Sequence, residues 1–118
     1  MTVPASYSEP PAPVFLFDLD GTLIDSVYQH VIAWRNALTR RGIDLSVWRI
    51  HRRIGMSGGL FVSALMRETG LDLSAADIEA LQQAHADEYT QQAGSVRPLP
   101  GAADLLARAD ELGVRDLT

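Results

Sequence analysis

Asp18 and Asp20 are two carboxylates separated by one residue. They end the apolar run Val14-Phe15-Leu16-Phe17 and stand directly before a Gly21-Thr22 step. Residues i and i+2 of a strand face the same side, so a strand ending here brings both side chains to one site. Two like charges held together are costly unless something uses them. A divalent cation, or a division of labour into nucleophile and acid/base, answers that cost. Acidic residues beside glycine also mark ordinary turns. A turn does not explain why the apolar run, the spacing and the Gly-Thr step coincide.

The elements that must position this pair follow from periodicity. Val14–Leu19 is almost wholly apolar, as expected of a strand covered on both faces, and Asp20–Ser26 is the loop after it. Four helices are then expected. The first is capped by Asp25 or Ser26 and runs to about Arg41, with Val27, Val31, Trp34 and Leu38 inward. The second runs from Ser46 to about Ile54. Gly55 and Gly58-Gly59 break the pattern, and Leu60–Thr69 resumes it. Ser74 opens the fourth, with Asp77 in its first turn and Ile78, Leu81, His85 and Tyr89 on one side, and Gly94 stops it. Arg97–Gly101 is a connector. A last helix spans Ala102–Leu112 with Leu105, Leu106, Ala109 and Leu112 inward. Val114 is expected to start a second strand, which Arg115 and Asp116 interrupt.

A strand, helices and a returning strand indicate an α/β fold. The four-helix stretch is longer than a crossover needs, so it is expected to be an insertion over the C-terminal edge of the sheet, where open α/β folds bind ligands. The expected division is a Pro-rich flexible tail over 1–13, first strand and catalytic loop over 14–26, a helical cap over 27–96, and a return to the core over 97–118. The chain is expected to be predominantly helical.

Composition narrows the function. The chain has 118 residues, the size of one small domain. The net charge of −5 argues against a nucleic-acid surface. With no cysteine, disulfides, thiolate metal sites and a Cys nucleophile are excluded. No segment has the length of a membrane span, and the N-terminus lacks a secretory signal pattern. A soluble, cytoplasmic protein is expected, with no membrane and no nucleic-acid partner; oligomeric state is not legible.

The run Asp18-Leu19-Asp20-Gly21-Thr22-Leu23-Ile24-Asp25-Ser26 resembles the first motif of the haloacid dehalogenase superfamily, DxDGT(L/V)xDS, over its full length. The helical insertion, and Pro100-Gly101 followed by a Leu-rich helix and Gly113, resemble that family's cap and its return to a Rossmann-like core. The likeness is greatest to the phosphoglycolate phosphatase and β-phosphoglucomutase branches. It implies Asp18 as nucleophile, forming an aspartyl-phosphate, and Asp20 as general acid/base. It also implies Mg²⁺ held by Asp18 and Asp20, and backbone N–H groups of Leu19 and Asp20 on the phosphate. An Asp at position 20 is kept by the family's phosphatases and phosphomutases and is absent from its dehalogenases. The implied activity is hydrolysis of a small phosphorylated metabolite; a phosphomutase, or an inactive fragment serving as a helical interaction module, are the alternatives.

Specificity is expected from the cap. Arg52 and Arg53 precede the glycine-rich stretch Gly55-Met56-Ser57-Gly58-Gly59. Arg53, Gly55, Met56 and Ser57 are candidates to read a substrate anion; a solvated basic face with a helix–helix turn explains them equally well. His30 and Trp34 could line the site mouth, but are expected to be an ordinary partly exposed residue and plain core. His51 and His85 are expected to be structural, since the three histidines lack metal-ligand spacing. The family's later elements, a Ser or Thr, a Lys or Arg and a second acidic pair, have no counterpart here apart from the residue type of Thr118. The chain is therefore expected to be the N-terminal part of a longer hydrolase, with little turnover by itself.

Overall fold

The structure is a computed structural model that describes residues 13–117. The Pro-rich leader and Thr118 lie outside the described residues, Pro13 excepted.

Helices dominate. α1 spans Val27–Arg40, α2 Val47–His51, α3 Gly58–Thr69, α4 Ala75–Gln92 and α5 Ala102–Glu111. α1 buries Val31, Trp34, Ala37 and Leu38 at the three-and-four spacing of one helical face. That face meets Ile50 of α2, Phe61, Val62 and Leu65 of α3 and Leu81 of α4, with Leu45 closing the cluster. Each such side chain gains about 1.5–3 kcal/mol on leaving water, so α1 to α4 share one core. The Glu88 carboxylate of α4 is buried yet satisfied: Asn36 donates to it at 3.2 Å and Arg40 pairs with it, both from α1.

The helix starts follow their capping residues. Ser74 Oγ accepts from Asp77 N–H and the Asp77 carboxylate accepts from Ser74 N–H, a reciprocal box that opens α4. The Ser74 hydrogen bonds hold the Asp77 carboxyl below its ordinary range. Ser57 caps α3 by accepting from Leu60 N–H. Gly58 and Gly59 are thus the first residues of α3, not breaks before it. α2 is shorter than its apolar spacing suggested, because the chain turns at Arg52–Gly55 with Gly55 at φ 101°, a left-handed conformation that favours glycine. α4 ends at Gln92, and a 3₁₀ turn, Ala93–Ser95, takes the chain past Gly94.

Four short strands complete the described residues. β1 is Val14–Leu16, half the length expected, and it is exposed rather than buried; Leu16 is 81% exposed. β4, Arg115–Leu117, does form despite its polar residues, pairing parallel to β1 with Val14 opposite Arg115. Parallel pairing is made by backbone groups, and Arg115 N–H donates to Pro13 O at 3.3 Å. α5 leads into β4 and buries Ala102 and Ala109, whereas Leu105 and Leu112, expected inward, are exposed. β2, Ile24–Asp25, pairs antiparallel with β3, Arg97–Pro98, where only loop and connector were expected. This ribbon is the neck of the helical bundle. β2 runs into α1 and β3 follows the turn after α4, and Leu99 N–H donates to Leu23 O at 2.9 Å. Among the described residues no helix is long and apolar enough to cross a membrane.

Candidate active site

The neck places the acidic pair beneath the bundle. Asp18 and Asp20 face a cavity of about 160 Å³ together with His30 and Trp34 of α1, Arg53 and the following Ile54-Gly55-Met56 turn, and His85 of α4. Four stretches of sequence that are far apart thus meet at the mouth of the acidic loop.

The loop is held by its own backbone. Thr22, Leu23 and Ile24 all direct N–H groups at Leu19 O, at 3.2, 3.0 and 3.2 Å, and Gly21 N–H donates to Ile24 O at 2.9 Å. This winding needs Gly21 at φ 74°, and a Cβ there would sit 2.9 Å from Val27 Cγ2. Gly21→Ala is therefore expected to lower stability by about 1–2 kcal/mol, from the left-handed backbone and the clash together. Thermal melting beside wild type checks this; an unchanged midpoint would mean that the loop has another low-energy form.

Each carboxylate has distinct partners. Asp18 Oδ1 accepts from Leu19 N–H at 3.0 Å and Oδ2 from Thr22 Oγ1 at 3.4 Å. The Leu19 N–H, expected on a phosphate oxygen, is thus turned to its neighbour's side chain. Asp20 Oδ1 accepts from Ser26 Oγ at 2.7 Å and lies 3.1 Å from His30 Nε2. Ser26, at the N-cap position of α1, is fully buried and spends its hydroxyl on Asp20, with no side-chain cap bond. With Oδ1 taken twice, Oδ2 is the Asp20 oxygen without a hydrogen-bond partner among the described residues.

Behind His30 stands a column of rings. The His30 ring stacks on Tyr89 at 4.0 Å, and its Nδ1 lies 3.3 Å from His85 Nε2. His85 stacks on Trp34 at 4.0 Å, and Trp34 on Phe61 at 4.1 Å. Burial, then the nearby His30 charge, lowers the His85 pKa to about 4. Burial, followed by the Asp20 charge, raises that of Tyr89. The unfolded chain takes up the His85 proton near pH 6.5 and the folded chain only near 4, so stability is lost as pH falls through that window. For a half-exposed ring the loss is expected to be about 1 kcal/mol after screening. Melting of wild type and His85→Gln at neutral and mildly acidic pH should show a smaller acid-induced drop in the variant. Equal drops would contradict the assignment.

The specificity candidates divide. Arg53, Gly55 and Met56 line the cavity, and Ser57 does not, since it caps α3. Arg53 is paired with Glu68 of α3. His30 and Trp34 line the cavity, which was one of the two readings open for them, and His85, expected to be structural, lines it too. Among the described residues no group of three or more His, Cys, Asp or Glu side chains is placed to hold a metal. Asp18 and Asp20 do offer hard oxygen donors of the kind Mg²⁺ takes along with several waters.

The sequence profile of the haloacid dehalogenase-like hydrolases matches residues 12–117. The chain belongs to this hydrolase family. A phosphoglycolate phosphatase of Mesorhizobium japonicum is 29% identical over 105 residues, covering 86% of this chain and 45% of that protein. A hydrolase structure from Pseudomonas syringae is 47% identical with a TM-score of 0.85, covering 88% of this chain and 48% of that one. A β-phosphoglucomutase-like protein from Bacteroides vulgatus is 28% identical with a TM-score of 0.76, covering 89% and 43%. The chain therefore has the fold of the N-terminal part of these hydrolases and spans about half their length.

Proposed function

We propose that these residues supply the nucleophile, the acid/base and the helical cap of a Mg²⁺-dependent phosphomonoester hydrolase acting on a small phosphorylated metabolite. The observation that carries this reading is the pairing of Asp18 and Asp20 at one cavity, with a single Asp20 oxygen left unbonded among the described residues. Residues 14–26 and 97–118 are read as core and 27–96 as cap, joined at the β2–β3 neck.

Asp18 attacks the phosphorus, forming an aspartyl-phosphate as the ester P–O bond breaks. Asp20 Oδ2 gives its proton to the departing alkoxide. It then takes one from water as the water oxygen bonds to phosphorus, and Asp18 and inorganic phosphate separate. Ser26 and His30 keep Oδ1 out of this exchange. The Asp18 carboxylate and the Asp20 main-chain carbonyl would hold Mg²⁺, whose charge offsets that of two anions brought together. Arg53, paired with Glu68, is the arginine that lines the cavity among the described residues, which supports a substrate with a second anionic group. Phosphoglycolate, the substrate named for the curated relatives, carries such a carboxylate.

A phosphomutase is the second reading, favoured by the likeness to the Bacteroides vulgatus protein; there a sugar hydroxyl replaces water as acceptor. The test is a phosphomonoester panel including phosphoglycolate, with Mg²⁺ and with chelator. It is run on the complete reading frame that carries these residues. Phosphate release that requires Mg²⁺ supports the hydrolase. Transfer to sugar without release supports the mutase, and neither activity from a folded protein rejects both.

A further inference from the structure

His85 is a polar side chain of the ring column that no part of the proposed chemistry uses. It lies 55 residues from His30 in sequence and comes from a different helix, yet its Nε2 is aimed at His30 Nδ1 at 3.3 Å. Packing alone does not call for this. A phenyl or leucyl group would fill the slot against Trp34 equally well. The hydrogen bond has a specific consequence for the ring it meets.

His30 Nε2 faces the Asp20 carboxylate, an acceptor only, so the favourable arrangement has a proton on Nε2. A neutral imidazole has one N–H and two places to put it. With nothing at Nδ1, the proton could sit there and leave two lone pairs facing each other at Asp20. A donor at Nδ1 removes that choice. With its own proton on Nε2, His85 donates to His30 Nδ1, and His30 Nε2 is left as the donor to Asp20. Stacking fixes the geometry as well: Trp34 holds the His85 plane and Tyr89 holds the His30 plane, within 13° and 6° of parallel. Burial keeps His85 uncharged, so it does not compete with His30 for the Asp20 charge.

We propose that His85 is a positioning residue for the acid/base carboxylate, fixing His30 as the Nε2–H tautomer so that Asp20 Oδ1 stays occupied and Oδ2 is the oxygen left for proton exchange. The chemical part of this rests on the role of Asp20 proposed above; the tautomer does not.

The test is ¹⁵N spectroscopy of histidine-labelled protein above pH 7, beside turnover. Wild type should show His30 with one protonated and one bare nitrogen, and a scalar coupling across the bond from His85 Nε2 to His30 Nδ1. His85→Phe keeps the stack without the donor, so the two His30 nitrogens should average. His85→Gln places an amide near the lost Nε2 and should restore the split. For the same variants kcat should fall about tenfold in Phe and recover in Gln, with KM within twofold, since part of an acid/base contribution is lost and no substrate contact is. An averaged His30 in wild type, or an unaveraged one in folded His85→Phe, overturns the proposal. Should His85→Phe not fold, the wild-type coupling decides. A fixed tautomer without phosphate release leaves the positioning intact and rejects the hydrolase.

Discussion

Asp18→Asn in the complete reading frame is expected to reduce phosphate release by about 10⁴-fold or more while leaving the fold intact, because it removes the proposed nucleophile and its share of the Mg²⁺ site. The carboxamide is nearly isosteric. Its oxygen can still accept from Leu19 N–H, the shorter of the two contacts Asp18 makes. The side chain is exposed at the cavity, so no buried partner is orphaned. What disappears is the anionic oxygen proposed to bond to phosphorus and to hold Mg²⁺. Asp20→Asn fails differently: the carboxamide cannot shuttle a proton, yet Asp18 can still attack an ester whose alcohol leaves without one. The two variants should therefore separate on activated esters such as aryl phosphates. There Asp20→Asn retains formation of the phosphorylated enzyme, detectable by intact mass, and Asp18→Asn forms none. Release by Asp18→Asn at a tenth of the wild-type rate or above would remove Asp18 from the nucleophile's role.

What the sequence discloses about this site depends on how local the signal is. Asp18, Asp20 and the Gly21-Thr22 turn lie within five residues, and their chemistry is visible before any folding argument. The helices announce themselves similarly, through the spacing Val31, Trp34, Leu38 on α1 and the Ser74/Asp77 box on α4. His30 and His85 give no such signal, since their meaning comes from the packing of α1 against α4. The available hint was that His30/Trp34 and His85/Tyr89 are both ring pairs four residues apart. Two such pairs on adjacent helices can interleave. Polar residues masked β4 because Arg115 and Asp116 contradict a buried strand, whereas parallel pairing with β1 asks only for backbone groups. The opposite error occurred on α5. Leu105 and Leu112 mark a face suited to burial, but periodicity does not say what covers it, and among the described residues nothing does. The two-residue ribbon β2–β3 is too short for any pattern to declare, though it aims the bundle at the acidic pair.

Trp34→Ala is expected to cost about 3–5 kcal/mol and lower the melting midpoint by roughly 10–20 °C. Trp34 is 6% exposed and packed between Phe61 of α3 and His85 of α4. Truncation opens a void bordered by three helices. A domain of this size holds only about 5–15 kcal/mol in all, so the variant sits near the edge of folding. Trp34→Phe keeps a ring between the same neighbours and should lose about 1–2 kcal/mol. The comparison also separates the residue's two duties. Trp34 is core to α3 and cavity wall to His85, so Trp34→Phe should preserve the His30 tautomer while Trp34→Ala, studied below its midpoint, should release it. A Trp34→Ala midpoint within a few degrees of wild type would show that α1, α3 and α4 are not one cooperative core. The route from that core through His85 and His30 to Asp20 would then lose its support.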